Sequence, residues 1–211
     1  MDNTNTIARK LAEVCPDEQD MSEVTGAQFI CDKPFILREP NYDYIKREIK
    51  WYDSLSRYVD DIPGETPKIW KDIASHEGKI NSNYGWCIYS GENGYQFDTV
   101  CMELKENRLS RRAVMYYTHP FMHEKAVDDS MNDHMCTTHV QYFVRKGVLQ
   151  THVYMRSNDA VFGFNNDYAW QITVAHRLAD AIGVLGVAPI IWNVGSLHVY
   201  PRHKQLLEKH R

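Results

Sequence analysis

The sequence MCTTHVQYFVRKGVLQTHVYMRSNDAVFGFNNDYAWQ, residues 135–171, contains the clearest secondary-structure pattern of the chain. Within it, residues 139–145 and 148–156 alternate in polarity and contain β-branched residues, which is typical of strands. The two residues between them, Lys146 and Gly147, are suited to a tight turn. The stretch therefore predicts a β-hairpin.

The end of the same stretch predicts a helix that follows the hairpin. Asn166 or Asp167 is expected to cap its first turn, and the region from Gly183 to Gly186 is expected to end it. The face that this helix buries would consist of Trp170, Val174, Leu178 and Ile182.

A second helix is predicted from Asn41, where apolar residues recur at spacings of three and four until the chain approaches Pro63 and Gly64. Glu48 is expected on the edge of its buried face. That face would consist of Ile45, Ile49, Tyr52, Leu55 and Val59.

The remaining segments are predicted more coarsely. Residues 1–25 are polar and acidic, and we expect them to be loosely attached. We expect loops at 63–67 and 81–85, strands at 112–117 and 190–194, and a terminal helix from about Pro201.

The bulk composition fits a single globular domain spanning residues 1–211. The chain is 43% hydrophobic and 25% charged, which allows a substantial core. A formal net charge of -4 gives no electrostatic basis for binding bulk nucleic acid or an anionic membrane. The first 30 residues contain no apolar run suited to a signal peptide or a membrane span, so a cytoplasmic protein is expected. The five scattered cysteines indicate reduced thiols.

Few residues indicate chemistry on their own. His134, Cys136 and His139 lie close in sequence, but a zinc site usually requires paired spacings and a fourth ligand, and no candidate for that ligand is evident. No metal is therefore expected. Cys136 alone would more often be a small buried residue than a nucleophile.

Two pairs of residues are suited to binding an anion. Arg111 and Arg112 begin a predicted strand, so their side chains point to opposite faces, which is unusual unless at least one meets an anion. Arg156 and Ser157 end the hairpin and combine a guanidinium with a hydroxyl, which suits a phosphate. A free nucleotide is therefore a candidate ligand.

Seven ordered motifs along the chain resemble one known family. They are REIKWY (47–52), IPGETPKIW (62–70), INSNYGW (80–86), SRR (110–112), MCTTHVQY (135–142), MRSNDAVFGFNNDYAWQ (155–171) and IIWNVGSLHVY (190–200). They resemble the thymidylate synthase superfamily, and within it the bacteriophage deoxycytidylate hydroxymethylases. The resemblance implies an α/β (α+β) fold with a large mixed sheet flanked by helices. It also implies 5,10-methylenetetrahydrofolate as co-substrate, a sheet-to-sheet homodimer, and the host cytoplasm as location if the chain is phage-encoded.

The resemblance also implies roles for individual residues. The family's nucleophilic cysteine matches Cys136, and the glutamate that assists folate activation and proton transfer matches Glu48. The position that reads the base matches Asp167. The other implied positions are Arg111 and Arg112 from the partner chain with Arg156 and Ser157 for the 5′-phosphate, Gln141 five residues after the cysteine, His198 and Tyr200 for the 3′-hydroxyl, and Trp70, Asp159 and Tyr84 for the folate site.

The expected reaction begins when the thiolate of Cys136 adds to carbon 6 of a pyrimidine, because carbon 5 is otherwise a poor nucleophile. Nearby guanidinium groups are expected to lower the pKa of the thiol and to hold the phosphate. Carbon 5 then captures the one-carbon unit of the folate. Loss of the proton on carbon 5 and expulsion of the folate leave an exocyclic methylene, which water attacks. Glu48 is expected to transfer the protons.

The base is predicted from Asp167. The synthases place an asparagine there, whose amide donates to uracil O4 and accepts from N3–H. Cytosine reverses that pattern, and a carboxyl group can accept from the exocyclic amine and share a proton with N3. We therefore expect dCMP as the substrate, with a helix-capping role as the alternative for Asp167.

Three alternatives remain for the activity. A dCMP methylase would end with hydride transfer and release dihydrofolate, and a CMP hydroxymethylase would differ in the sugar. A nucleotide- or RNA-binding homologue would have lost turnover, but the presence of both Cys136 and Glu48 argues against it. Thr137 replaces the histidine that follows the cysteine in synthases, which argues against a plain synthase. The chain also ends soon after Tyr200 without the apolar tail of the synthases, which favours water as the acceptor.

Overall fold

The computed structural model of the chain describes residues 1–14, 20–128 and 130–211. Cys15 lies outside the described residues. The helices are α1 (Thr4–Glu13), α2 (Tyr42–Ser54), α3 (Lys68–Ile73), α4 (Tyr84–Tyr89), α5 (Gln96–Glu106), α6 (Phe121–Asp128) and α7 (Gly163–Ile182), with 3₁₀ turns at Val59–Asp61, Gly91–Asn93 and Pro201–His210. The strands are β1 (Asp2–Asn3), β2 (Ser22–Ile30), β3 (Val114–Tyr116), β4 (Thr137–Arg145), β5 (Val148–Asp159), β6 (Gly186–Val187) and β7 (Ile191–Val199).

The strands of the described residues form one mixed sheet. Their order is β1-β2-β7-β5-β4-β3, and β6 pairs with β5. β4 is antiparallel to β5, whereas β7 is parallel to β5. Helix α7 follows β5 and packs against it. The mixed sheet flanked by helices that the family resemblance implied is therefore confirmed.

The hairpin of β4 and β5 is formed as the sequence predicts. Lys146 has φ 53° and Gly147 has φ 76°, the left-handed pair that a two-residue hairpin turn favours. The pairing shifts register between Thr137 and His139, at the start of β4. Cys136 is the residue immediately before this irregular end of the strand.

Helix α2 begins where predicted but is shorter than predicted. The side chain of Asn41 accepts a hydrogen bond from Tyr44 N at 3.1 Å and caps the first turn. Leu55 has a left-handed φ of 60° and ends the helix, so Val59 belongs to a separate 3₁₀ turn. Glu48 is fully buried at 3% exposure, rather than lying on the edge of the buried face.

Helix α7 starts earlier than the sequence indicates. It begins at Gly163, so Asp167 lies inside the helix and the prediction that Asn166 or Asp167 caps it is wrong. The carboxylate of Asp159 instead accepts from Val161 N at 3.0 Å and Phe162 N at 3.2 Å, and this local turn directs the chain into the helix. Gly183, with φ 70°, ends α7 as predicted. The predicted buried face of Trp170, Val174, Leu178 and Ile182 is also confirmed.

The described part of residues 1–25 is packed, in contrast to the loose attachment expected. Ile7 and Leu11 of α1 are buried in the common hydrophobic core. Strand β2 pairs with β7 from Ser22 onwards. The polar composition of this segment reflects the outer face of α1, while the apolar residues Ile7, Ala8, Leu11 and Ala12 form its buried face.

Other elements differ from the predictions in their bounds or in their helix type. Strand β3 is shorter than 112–117, and β7 extends beyond 190–194 to Val199. The terminal helix is a 3₁₀ helix from Pro201. Residues 63–67 form a loop as predicted, whereas the segment 81–85 already enters helix α4.

The two faces of the sheet differ in character. Val140, Tyr142 and Val153 are buried on the face that packs against helices. Because side chains alternate along a strand, their neighbours form the opposite face. His139 stacks there on Tyr154 with ring centroids 4.4 Å apart. The half-buried residues of this open face also include Gln141, Phe143, Gln150, His152, Ile191 and Asn193.

Candidate active site

Cys136 lies beside a guanidinium group. Its Sγ is 3.8 Å from Nη2 of Arg156 on β5. Arg156 is held by the carbonyls that precede the cysteine, because Nη2 donates to His134 O at 2.7 Å and Nε donates to Met135 O at 3.0 Å. Arg156 nevertheless remains exposed. The structure therefore brings together the predicted nucleophile and one predicted phosphate-binding arginine.

The thiol of Cys136 is less acidic than the sequence led us to expect. Burial and the negative charge of Asp167 raise its pKa to about 11, and the guanidinium of Arg156 opposes this only in part. The guanidinium of Arg156 lowers the pKa of the thiol as expected, but the net pKa lies above the ordinary value of a cysteine. Desolvation of the sulfur outweighs the attraction of one exposed cation.

Asp167 projects from α7 into a network of hydrogen bonds. Tyr84 OH donates to Oδ1 of Asp167 at 3.0 Å, and Asn158 Nδ2 donates to Oδ2 at 2.7 Å. Thr137 Oγ1 donates to Tyr84 OH at 3.0 Å. Burial raises the pKa of Asp167 to about 7, although both donors stabilise the carboxylate. Asp167 can therefore both accept and release a proton near neutral pH.

Glu48 carries the second buried carboxyl group of the site. Tyr44 OH donates to Glu48 Oε1 at 2.7 Å, and Trp70 Nε1 donates to Tyr44 OH at 2.7 Å. Burial is the main cause that raises the pKa of Glu48 to about 8. A carboxyl group with a pKa in this range is suited to proton transfer.

The two carboxyl groups belong to one site. Asp167 lies close enough to raise the pKa of Glu48 further. Tyr52 lies beside both, because its ring stacks on Tyr84 with centroids 5.3 Å apart and both carboxylates oppose its ionisation. Helix α2 therefore supplies Glu48 to the same site that α7 and β4 form around Asp167 and Cys136.

Arg111 and Arg112 lie in the bend before β3 rather than within a strand. Gln141 Nε2 donates to Arg111 O at 2.9 Å, so Gln141 also contacts this bend. Arg112 Nη2 lies 3.3 Å from Glu103 Oε1, but its side chain is 80% exposed. Among the described residues, neither arginine forms a hydrogen bond with Cys136 or Arg156 of the same chain.

The remaining predicted substrate positions lie at neighbouring ends of β5 and β7. Ser157 pairs in register with Ser196, and Asp159 pairs with His198. His198 is buried, and its ring meets that of Tyr200 edge to face with centroids 4.9 Å apart. These positions therefore lie at the same end of β5 and β7 as Arg156.

The three predicted folate positions have different partners in the structure. Trp70 is half-buried with its ring edge against Trp51, at 5.5 Å between centroids. Asp159 is held by backbone N–H groups at the start of α7. Tyr84 is bound to Asp167 and Thr137, so in this structure it belongs to the Asp167 network.

Sequence reasoning missed three residues that hold the site together. Tyr44 precedes Glu48 by four positions, a spacing that places both on one side of a helix and could have revealed the contact. Asn158 stands inside a quoted motif, but the sequence offered no sign of its partner. Thr137 departs from the histidine of the synthases, and its hydroxyl donates a hydrogen bond to Tyr84 OH.

Within 1–14, 20–128 and 130–211, no group of three or more His, Cys, Asp or Glu side chains is arranged to hold a metal ion. In the same part of the chain, no helix combines the length and the apolar character needed to span a membrane.

Comparison with known proteins defines the class of this protein. The sequence model of the family described as thymidylate synthase matches residues 35–210, so the chain belongs to the thymidylate synthase family. Enzymes of this family use methylenetetrahydrofolate as co-substrate with a pyrimidine nucleotide. The resemblance inferred from the motifs is therefore confirmed.

Some similar proteins carry a more specific name than the family. The chain is 50% identical over 192 residues to the deoxycytidylate 5-hydroxymethyltransferase of Enterobacteria phage T4, covering 88% of this chain and 78% of that protein. The enzyme of the same name from phage T6 matches equally. The thymidylate synthase of Bacillus atrophaeus is 29% identical over 164 residues, covering 74% of this chain and 70% of that protein.

Proposed function

We propose that this protein transfers the one-carbon unit of 5,10-methylenetetrahydrofolate to carbon 5 of dCMP and adds water, which yields 5-hydroxymethyl-dCMP and tetrahydrofolate. The observation that carries the proposal is the buried carboxyl group of Asp167, held by hydrogen bonds close to Cys136. The identity to deoxycytidylate 5-hydroxymethyltransferases supports the same conclusion.

Phosphate binding prepares the nucleophile. Arg156 and Ser157 bind the 5′-phosphate, and His198 and Tyr200 bind the 3′-hydroxyl, so that unreactive parts of the nucleotide orient the ring. The thiol of Cys136 must lose its proton to add to carbon 6. Because its pKa is about 11, the thiolate is a minor form at neutral pH. Deprotonation is therefore coupled to attack: the S–H proton passes to a buried carboxylate of the site as the bond from sulfur to carbon 6 forms, and Arg156 stabilises the developing thiolate.

Asp167 reads the base. In the neutral state of the site, its carboxyl group accepts from the exocyclic amine of cytosine and shares a proton with N3. N3 gains negative character when the thiolate adds to carbon 6, and an acid with a pKa of about 7 can supply the compensating proton. Uracil offers a carbonyl oxygen and an N–H group at these positions, which match this arrangement less well.

Glu48 transfers protons at the folate side of the site. The residues present fit a folate, because Trp70 offers an aromatic surface and Asp159 a fixed carboxylate that can accept from a pterin N–H group. The folate, when bound, supplies a carbon at the oxidation level of formaldehyde. Glu48, held by Tyr44, is placed to move the protons that accompany transfer, and water completes the product.

A homodimer completes the site. The open face of the sheet, which includes His139 and Tyr154, consists of half-buried aromatic and polar residues that a second copy would cover. Arg111 and Arg112 are exposed near this face and do not bind the Cys136 of their own chain. They are therefore available to the phosphate site of the partner.

The base preference tests this proposal. Replacing Asp167 by asparagine should lower kcat/KM for dCMP by about 10- to 100-fold and improve relative use of dUMP, because the amide donates where uracil accepts. The measurement is competition between dCMP and dUMP with methylenetetrahydrofolate, followed by product analysis. An unchanged preference in a folded Asp167→Asn variant would show that Asp167 does not read the base.

A further inference from the structure

Asn158 connects Asp167 to the core of the sheet. Its side chain is 3% exposed and lies between β7 and α7. Trp192 Nε1 donates to Asn158 Oδ1 at 3.2 Å, and Asn158 Nδ2 donates to Asp167 Oδ2 at 2.7 Å. Three elements therefore meet in one chain of hydrogen bonds that ends at the base-reading carboxyl group.

The direction of these hydrogen bonds follows from the chemistry of the Trp192 indole. The Nε1–H group of Trp192 is a donor and cannot accept, so it must face the carbonyl oxygen of Asn158. The amide nitrogen of Asn158 must then face Asp167, where it can only donate. Oδ2 of Asp167 is therefore always an acceptor, and a proton on this carboxyl group must reside on Oδ1.

The other oxygen of Asp167 has a partner that can respond to a proton. Tyr84 OH meets Oδ1, and a hydroxyl group can either donate or accept. The structure thus fixes one oxygen as an acceptor and leaves the other to exchange a proton.

We propose that Asn158, oriented by Trp192, is the positioning residue that fixes the carboxyl group of Asp167 for reading cytosine. This inference rests on the proposed function. It assigns specificity to a residue that does not touch the base, because a cytosine-reading acid needs one oxygen reserved for acceptance and the other for proton exchange. The titratable groups that face Asp167 are Tyr84 from α4, Glu48 and Tyr52 from α2, Cys136 before β4 and Asp159 at the end of β5.

The test replaces Asn158 by leucine, which keeps a similar shape and removes the amide. Wild type and variant are assayed with dCMP and with dUMP across about pH 5.5 to 9, which brackets neutral catalysis. Because the amide stabilises the carboxylate, its loss should move the Asp167 ionisation to higher pH by about one unit. The ratio of kcat/KM for dCMP over dUMP should fall about tenfold.

Thr151→Val is the matched control. Thr151 is also buried on β5, and its hydroxyl forms no hydrogen bond within the described residues. This variant should keep the wild-type ratio and pH profile. Asn158→Ser serves as a second variant if leucine prevents folding, and Trp192→Phe should cause a smaller shift in the same direction because it frees the amide to turn.

The outcomes separate this inference from the proposed function. If wild type yields no 5-hydroxymethyl-dCMP, the proposed function is wrong whatever the variants do. If wild type is active and a folded Asn158 variant loses activity equally on dCMP and dUMP with an unshifted pH profile, Asn158 is merely structural and the inference is overturned. A lower base ratio together with a shifted profile supports it.

Discussion

Three ionisable side chains of the site are buried deeply enough to favour their neutral forms. The pKa values of Cys136, Glu48 and Asp167 are all raised, to about 11, 8 and 7. Desolvation is the largest cause in each case, so hydrogen bonds and Arg156 moderate the shifts without reversing them. At neutral pH, Cys136 and Glu48 are therefore mainly protonated and Asp167 is protonated in part. In the proposed reaction, these protons must move when the nucleotide binds and is attacked.

The reactivity of Cys136 tests this view of its environment. We expect iodoacetamide to modify Cys136 slowly at pH 7 and about tenfold faster per pH unit until the pH nears 11, because the thiolate is the reactive form. Asp167→Asn should accelerate the reaction several-fold at pH 8, since it removes a negative charge that raises the thiol pKa. Peptide mapping by mass spectrometry measures the modification at this position.

Asp180→Asn on the exposed side of the same helix is the control for Asp167→Asn. Asp180 is exposed, so its charge is screened and the rate at Cys136 should not change. Rapid modification that does not vary between about pH 6 and 8, or a slower reaction in Asp167→Asn, would contradict the assigned electrostatics.

At the scale of elements, α2 and α4 meet through their backbones. A Cβ added to Gly85 would lie 1.9 Å from Tyr52 O, so only glycine permits this approach. The contact lets Tyr84 stack on Tyr52, and it places α4 against the helix that carries Glu48. The geometry between the two buried carboxyl groups therefore depends on this crossing.

Gly85→Ala should separate the two helices. We expect it to lower the free energy of unfolding by about 3 kcal/mol or more, because the obstructing atom belongs to the backbone and cannot move away cheaply. Denaturant unfolding measures the change. Gly186→Ala is the control, since its Cβ would meet Val148 at an ordinary 3.8 Å and should have little effect. Equal stability of the two variants would contradict the close contact.

The elements that the sequence predicted well are set by local chemistry. The turn at Lys146 and Gly147 and the cap at Asn41 depend on residues adjacent in sequence. The start of α7 was misplaced because Asp159 turns the chain before the helix, an alternative that competes with capping by Asp167. The packing of the N-terminal segment depends on the long-range pairing of β2 with β7, which local patterns do not reveal.

The site was predictable mainly through resemblance to a family. Cys136, Arg156 and Asp167 were placed by motif, and the structure brings them together. The role of Asn158 could not be predicted, because it depends on the meeting of β5, β7 and α7. The net pKa of Cys136 was also beyond the sequence, since burial is a property of the folded chain.

At the scale of the whole molecule, the sheet topology brings the residues of the site together where β5 and β7 end. β4 begins where the antiparallel β5 ends, which brings Cys136 beside Arg156. β7 runs parallel to β5 and brings His198 to the same end. Helix α7 then returns from that end with Asp167 in its second turn. The residues of the site are distant in sequence but converge for this reason.

Subunit mixing tests the proposed homodimer. The variant Cys136→Ala and the double variant Arg111→Ala with Arg112→Ala should each be inactive alone. A mixture that exchanges subunits should regain about a quarter of wild-type activity, because half of the dimers would contain one intact site. Activity with dCMP is measured after mixing in equal amounts.

Mixing Cys136→Ala with Glu48→Gln provides the control. Both changes affect residues that we assign to the site of their own chain, so no combination restores an intact site. If the arginine variant and Cys136→Ala do not complement each other after subunit exchange, Arg111 and Arg112 do not serve the partner. Restoration in the control mixture would contradict the assignment of Glu48.

In the proposed reaction, water completes a one-carbon transfer to dCMP. The most direct measurement is mass spectrometry of the nucleotide and folate products after incubation of the protein with methylenetetrahydrofolate and dCMP, CMP or dUMP. We predict 5-hydroxymethyl-dCMP together with tetrahydrofolate, and little product from CMP or dUMP. A methylated nucleotide together with dihydrofolate, or no product from any nucleotide, would contradict the account.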